Sequence, residues 1–590
     1  MCGIAGVMTV DGSAPSDSLL DTLQSALAHR GPDGKGRHVD AGLGLLQTRL
    51  AIIDLKTGDQ PLYGPAASVL VANGEIYNYV ELKHEFSGEK FATNSDCELP
   101  LMTYARDGAD FAKALRGMYA IALGDPGNGT LYLARDPFGI KPLYYAEIAN
   151  GIVFASEPQA ILKTGLVART IRREAATELA QLQFTTGTET IFTGISRVAP
   201  GETITLHQGR IAGRQKINAL PQGPPLKLDE DEALTLLDAA LMDSVAVHQR
   251  SDVPYGMFLS GGIDSSALLA CMARLNDRPV RAFTAGFPGT AARDEREHAK
   301  EVARAVGAEH IEVEVGEQDF WNHLPAIAGA MDDPAADYAV LPTYLLAREA
   351  AKELKVVLTG EGGDELFAGY GRYRSALRPS WLGGRKMRRR GLLDGLGVLR
   401  DASKHWRDGI EAQELRIGAG QGTALQKAQA LDCADWLPND LLLKVDRCLM
   451  AHALEGRTPF LDVKVAELAF RLPDQLKIRN GLGKHLLRKW LARALPVADA
   501  FSKKRGFTVP VAEWMAPHAH KLGGMVTKSA GIGEICFPER VEALFSTFGD
   551  RNGKHDGAAC WQLLFYALWH GIHIEGKAPN QDVFAALENQ

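Results

Sequence analysis

Residues 207–231 read HQGRIAGRQKINALPQGPPLKLDED, a polar stretch rich in Gly and Pro, and apolar residues recur with a different period on its two sides. Before it, VLVANGEIYN, YAIALGD, LYLARD and GIVFAS alternate or run apolar over strand lengths, with turn residues between them. That pattern predicts a β-rich sandwich with one early helix. After it, DEALTLLDAALMDSVAVHQR, PYGMFLS, SSALLACMARL and VRAFTAGF alternate helical and strand patterns. Such alternation predicts a parallel sheet with helices on both faces. A chain of 590 residues also exceeds what one core organises. The expected division is therefore a first domain over 1–205, a linker over 206–230 and a second domain over 231–590, mostly helical beyond about Leu431.

Composition narrows the function. A net charge of −7 argues against a nucleic-acid binder, and no apolar run approaches a bilayer span. The start lacks a charged region followed by an apolar core, so the chain is expected to be cytoplasmic and not membrane-bound. The cysteines Cys2, Cys97, Cys271, Cys433, Cys448, Cys536 and Cys560 are odd in number, scattered, and form no CxxC pair. A disulfide framework or structural zinc site is not expected, and all but Cys2 read as small buried hydrophobes. The basic run Arg385–Arg390 reads as a solvated surface segment.

In the second domain FLSGGIDSSALLA places a strand before Ser260, Gly261, Gly262, Asp264, Ser265 and Ser266, with a helix after them. Glycines admit a ligand close to the backbone, and a helix N-terminus favours an anion, so a phosphate is the expected ligand. The lysine of a Walker loop is missing. Asp264 would repel phosphate without an intervening cation, which suggests Mg²⁺. KVVLTGEGGDELFAGY repeats the arrangement with Glu361, Asp364 and Glu365. Both loops fit the carboxyl edge of one parallel sheet, where Asp264 and Asp364 could share a metal on the phosphates of ATP. Lys484 and Arg457 are the cations available for leaving phosphates.

In the first domain, removal of Met1 would give Cys2 an α-amine beside its thiol, joining nucleophile and base in one residue. Arg49 offers a planar fork for a carboxylate. Asn73 and the N–H of Gly74 could stabilise an oxyanion, and Glu75 and Asp96 could receive an ammonium. Glutamine carries all three complementary groups. Singly, each residue has a plainer reading: Arg49 as a surface pair, Asn73-Gly74 as a hairpin turn, Asp96 as a helix cap.

CGIAG, HRGPD, RLAIIDL, NGEIYN, SDCE and RDPFGIKPLYY together resemble the class II glutamine amidotransferase domain. SGGIDSS, TGEGGDELFAGY, LEGRTPFLD and KHLLRK resemble the pyrophosphate-loop ATP enzymes. From residue 2 to about 515 the chain is similar to the glutamine-hydrolysing asparagine synthetase family. The resemblance implies an α+β N-terminal-nucleophile β-sandwich followed by an α/β parallel-sheet pyrophosphate-loop ATPase domain. It implies Cys2 as glutaminase nucleophile, with Arg49 to Ile53, the Asn73-Gly74-Glu75 turn and Asp96 holding glutamine. Ser260 to Ser266 would bind pyrophosphate and Mg²⁺, and Phe258 or Leu259, Ala285, Thr359 and Gly360 would line the nucleotide. Glu361 would serve formation of the acyl-adenylate and Lys484 would stabilise phosphate charge. Ammonia would cross an internal channel, aspartate would be the acceptor, and a homodimer is common in such proteins.

Some positions depart from the family pattern. Tyr338 and Ala339 stand where serines are common, and Gly456 and Thr458 replace Val or Ala and Val, all near the expected acceptor. Another carboxylate, such as a cell-wall peptide or sugar acid, is the alternative acceptor. A catalytically silent binder is disfavoured by intact Cys2, Arg49, Asp96, Asp264 and Asp364. A phosphoribosyl amidotransferase is disfavoured by the SGGIDSS loop.

Overall fold

The computed structural model describes residues 2–292, 294–378, 387–401, 403, 405–502, 508–551 and 553–588. In chain order come β1 (Gly3–Thr9), β2 (Gly34–Asp40), β3 (Leu43–Arg49), β4 (Leu62–Tyr63), β5 (Val69–Ile76) and β6 (Gly117–Asp125). Then follow β7 (Thr130–Arg135), β8 (Tyr144–Ile148), β9 (Gly151–Ala155), β10 (Ser196–Arg197), β11 (Glu202–His207) and β12 (Arg210–Lys216). They pair antiparallel into two sheets, ordered β10-β8-β9-β1-β3-β2 and β12-β11-β7-β6-β5-β4.

Alternation along each strand decides the layering. In β1, Ile4 and Met8 meet Val69, Val71, Ala120 and Leu131 between the sheets. Ala5 and Val7 point the other way, onto Leu20, Leu23 and Leu27 at the helix Asp17–Ala26. Those leucines recur at helical spacing, and Ser16 caps the helix by accepting the Leu19 N–H at 3.3 Å. Each is fully buried, a stabilisation of roughly 1.5–3 kcal/mol per side chain. The second sheet covers its outer face with Leu99, Leu101 and Phe111. Two sheets thus lie between helical layers, and both faces of β1 are buried, which is why it reads as an unbroken apolar run.

The polar stretch expected to be wholly linker begins with structure. β11 and β12 form a hairpin that completes the second sheet, so only the residues after Lys216 connect the two halves. The Gly209 turn and polar exposed face of β12 made the hairpin look like a linker.

The second half holds one parallel sheet: β13 (Tyr255–Phe258), β14 (Arg281–Gly286), β15 (Glu309–Glu314), β16 (Val356–Leu358) and β17 (Glu455–Arg457), ordered β15-β14-β13-β16-β17. Helices then dominate the chain to its end. The helix Lys554–His573 is buried nearly throughout, and its Trp561 and Trp569 indoles donate to the carbonyls of Ala336 (2.7 Å) and Met331 (2.8 Å). The tail thereby fixes the Met331–Ala336 segment beside the second site. No described helix is long and apolar enough to cross a membrane.

Candidate active sites

Cys2 lies just before β1, buried at the end of the space between the two sheets. Its N–H donates to Asn73 Oδ1 at 3.0 Å, and its carbonyl accepts from Arg30 Nε at 3.2 Å. Burial pushes the Cys2 thiol above its ordinary value, while the positive chain terminus and the Leu50 N–H pull the other way. Met1, whose removal the sequence suggested, lies outside the described residues. Asn73 Nδ2 is buried and has no hydrogen-bond partner among the described residues. An orphaned amide donor beside a thiol is what an oxyanion requires.

Asn73, Gly74 and Glu75 form no turn. They lie within β5, opposite Ala120, Tyr119 and Met118 of β6. Strand pairing overrides the local Asn-Gly turn signal, and Gly74 is needed because a Cβ there would sit 2.1 Å from the Met118 carbonyl. Asn73 and Glu75, two apart, share the face of β5 that Val69 and Val71 turn toward the sandwich.

Asp96 is buried in a short 3₁₀ turn capped by Ser95, not by Asp96 itself. It accepts the Ile76 N–H at 2.6 Å, and burial pushes its carboxyl up to about 6. Burial also raises the Glu75 carboxyl well above its usual range, against the pull of Arg457. Arg49, at the end of β3, is a buried anchor, not a surface pair. It donates to the Asp54 carbonyl at 2.6 Å and the Ile53 carbonyl at 3.4 Å, and pairs with Asp59 at 2.7 Å. Ile53 is therefore held by its backbone while its side chain packs on the second core.

The two glycine loops leave adjacent strands, since Met257 of β13 lies opposite Leu358 of β16. Strand order reverses between them, with β14 and β15 on one side and β17 on the other, and ligands of such sheets bind at that crevice. In the first loop Gly262 N–H donates to Ser260 Oγ and Ser265 Oγ donates to the Gly262 carbonyl, both at 3.2 Å. The helix Ile263–Leu275 starts there with its amides facing the loop.

A cavity of about 470 Å³ opens over both loops. Phe258, Leu259, Ser260, Gly262, Asp264 and Ser265 line it from one side; Thr359, Gly360, Glu361 and Asp364 from the other; Ala285 from β14. Gly261 and Ser266 stand outside this lining. Gly261 turns the chain at φ 68 beside His298, and Ser266 is buried in the first helical turn.

Lys484, just before the helix His485–Ala494, pairs with Asp264 and with Asp364, the latter at 2.8 Å. Burial pulls its ammonium down, but the two carboxylates overcome this and hold it above its ordinary value. Asp264 and Asp364 thus both reach the Lys484 ammonium. Two carboxylates beside a phosphate loop suit Mg²⁺ when nucleotide oxygens complete its shell. A Cβ on Gly363 would press within 2.5 Å of Asp264 Oδ1, so glycine keeps that oxygen approachable. Among the described residues no cluster of three or more His, Cys, Asp or Glu could hold a metal unaided.

Three expectations fail. Arg457 is fully buried in β17 outside the cavity lining, held by Glu455 and main-chain carbonyls with Glu75 at 3.3 Å, so it offers nothing to leaving phosphates. Gly456 and Thr458 flank it and do not line the cavity; a Cβ on Gly456 would lie 2.9 Å from Leu449. Of the basic run, residues 385–386 lie outside the described residues and Arg389 and Arg390 are exposed as expected, so only Arg388 departs: its guanidinium stacks 4.0 Å from the Trp436 ring and pairs with Asp432 at 3.5 Å.

Comparison with known proteins agrees with this two-site arrangement. A glutamine amidotransferase domain model matches residues 1–216, and an asparagine synthase model matches residues 236–571. The chain belongs to the asparagine synthase family. It is 34% identical to asparagine synthetase (glutamine-hydrolyzing) 1 of Bacillus subtilis (strain 168), covering 98% of each chain. It is 30% identical to asparagine synthetase B (glutamine-hydrolyzing) of Escherichia coli (strain K12), over 86% of this chain and 82% of that one.

Beyond the site residues expected from the motifs, the cavity is lined by Lys444. Lys444, on the helix Leu442–Met450, donates to Asp337 Oδ2 at 2.6 Å. Its ammonium is raised by Asp337 and Asp440 against the opposing effect of burial. Asp440 has no hydrogen-bond partner on either carboxylate oxygen among the described residues, and burial with the nearby Asp337 charge pushes it up to about 8. Glu365 is pushed up to about 7 by burial and by Asp364. Tyr338 and Ala339 do line the cavity, with Gln183 and Trp436. Lys444 shares its helix with Asp446 and Arg447, so no signal in the sequence set it apart.

Proposed function

We propose that the chain hydrolyses glutamine to glutamate and ammonia at Cys2, and uses that ammonia to convert aspartate into asparagine with ATP. It is an ATP-dependent carbon–nitrogen ligase. The observation that carries this reading is the pairing, in one chain, of a buried Cys2 bonded through its N–H to Asn73, whose amide donor is orphaned, with a glycine-loop cavity whose Asp264 and Asp364 both pair with Lys484.

With Met1 removed, the Cys2 nitrogen held by Asn73 Oδ1 is an amine that takes the thiol proton as sulfur attacks the glutamine amide carbon. Asn73 Nδ2 and the Gly74 N–H receive the charge on oxygen, Arg49 orients the substrate carboxylate, and Glu75 and Asp96 receive its ammonium. Ammonia leaves, and water then releases glutamate from sulfur. In the second cavity the aspartate side-chain carboxylate attacks the α-phosphorus of ATP, expelling pyrophosphate and leaving an aspartyl adenylate. Ser260, Gly262 and Ser265 cradle the pyrophosphate and Lys484 balances its charge. Mg²⁺, when bound through Asp264 and Asp364, neutralises phosphate charge. Ammonia delivered through the interior attacks the adenylate, giving asparagine and AMP. Lys444 is the cation available for the remaining carboxylate of the acceptor. Cytoplasmic residence completes the reading, supported by seven cysteines that all remain thiols.

The test is acceptor-dependent pyrophosphate release from ATP. Aspartate with glutamine or ammonia raises it well above the no-acceptor control and yields asparagine; no rise with aspartate overturns the acceptor assignment.

A further inference from the structure

β17 belongs to the second site by its backbone and to the first by its side chains. Its residues pair in parallel with β16, Leu358 opposite Arg457, and the Thr359 N–H donates to the Arg457 carbonyl at 2.8 Å. Thr359 opens the loop that carries Gly360 and Glu361 along the nucleotide cavity. From the other half, Lys141 donates to the Gly456 carbonyl at 3.4 Å.

The Arg457 guanidinium also reaches across to the first half. Its Nε pairs with Glu455 at 2.6 Å, and its Nη1 donates to the carbonyls of His248 (2.9 Å) and Arg250 (2.7 Å). Its Nη2 only approaches Glu75 Oε1, at 3.3 Å, without forming a hydrogen bond. Glu75 Oε2 likewise has no hydrogen-bond partner among the described residues. The pair is half made. Under the function proposed above, Glu75 also receives the ammonium of glutamine. Two cations then share one buried carboxylate, and like charges a few ångströms apart in a dry site repel. The Arg457 carbonyl, bonded to the Thr359 N–H, is where a shift of Arg457 would reach the second loop.

We propose that Arg457 couples the two active sites. It is a positioning residue that links occupancy at Glu75 to the placement of the Thr359–Glu361 loop. Because linkage is reciprocal, a filled nucleotide site alters the affinity for glutamine by the same factor. The proposal rests on the reading of both sites given above.

The test compares the glutamine KM with and without ATP plus aspartate, and the glutamate formed per pyrophosphate, in wild type and Arg457→Lys. In wild type the two KM values should differ about fivefold or more, the lower range of a coupling free energy. In Arg457→Lys they should coincide and the glutamate-to-pyrophosphate ratio should rise, with ammonia-driven pyrophosphate release continuing. A wild-type KM indifferent to ATP and aspartate, or a variant that keeps the wild-type dependence, overturns the proposal. Should the variant not fold, hydrogen exchange on wild type decides: a non-hydrolysable ATP analogue should alter exchange in residues 73–77 and 455–459, and no change there overturns it. Ammonia-driven pyrophosphate release with aspartate in wild type separates the two failures. Its absence removes the underlying function, whereas its presence without cross-dependence removes only the coupling.

Discussion

Asp96 shows how a residue proposed to bind substrate is held at a cost to folding. Its carboxyl titrates near 3.8 in the ordinary case and at about 6 in the folded chain, because burial disfavours the charged form. The folded state therefore binds a proton between these values that the unfolded chain has released, so stability falls as pH rises through that window. Above pH 6 the full penalty applies, on the order of 3 kcal/mol for a shift of about two units. Asp96→Asn is expected to raise Tm at pH 7.5 and not at pH 3.5, while raising the glutamine KM, which calorimetry and steady-state kinetics would check. For the same reason glutamine kcat/KM in the wild type should fall as pH drops through about 6. Cys2→Ala should remove glutamine-dependent synthesis by at least about a thousandfold and leave ammonia-dependent synthesis. Cys97 cannot substitute: burial and then Asp96 push its thiol well above the usual range. The chemistry proposed for Cys2, Asn73, Glu75 and Asp96 could be argued from the sequence because residue type alone limits what each can do. Their backbone setting was not, since the demand of Gly74 for space against Met118 comes from a strand 44 residues later.

At the scale of elements, two strand–loop–helix units were readable because glycine runs after apolar strands have few other uses, and their shared edge followed from parallel topology. The third party was named from its motif, but its reach to both acidic residues was not readable. Lys484 comes from a helix start more than a hundred residues beyond the second loop, and sits at φ 59, a conformation uncommon outside glycine. Such strain is retained where the side chain must reach a fixed point. Lys484→Ala leaves Asp264 and Asp364 facing each other and the pyrophosphate uncompensated. Aspartate-dependent exchange of pyrophosphate into ATP should fall by roughly a hundredfold or more, the usual effect of removing a charge-stabilising group. Glutaminase activity should persist. An unchanged exchange rate would remove Lys484 from the adenylation step. Arg457 misled the sequence reading for a related reason: its motif neighbours point to function, but only burial and partners reveal which site it serves.

At the scale of the whole molecule, the two halves are joined by buried charge, which is the feature least visible in sequence because its contacts span hundreds of residues. Arg30 of the first half pairs with Asp446 of the second at 2.9 Å and with Glu157 at 2.7 Å. Arg447 continues the network to Asp332 at 2.7 Å and to Asp446 at 2.8 Å. Arg197 reaches Asp333 at 2.7 Å. A buried pair adds little over an apolar contact when complete, but removing one partner strands a charge and costs about 3–5 kcal/mol. Asp446 holds two arginines, so Asp446→Ala should be costly and should separate the unfolding of the two halves. The wild type should melt in one calorimetric transition and the variant in two, the first at lower temperature. Arg37 with Asp17 supplies the contrast, because that carboxylate is 90% exposed. Asp17→Ala should cost less than about 0.5 kcal/mol and keep one transition. The loss at Asp446 should also reach chemistry, since Arg30 donates to the Cys2 carbonyl while gripping Asp446 with its other nitrogens. Glutamine-dependent turnover should therefore fall below the melting range, with ammonia-dependent turnover falling less. Equal losses in both reactions would show that the network supports folding without placing the nucleophile.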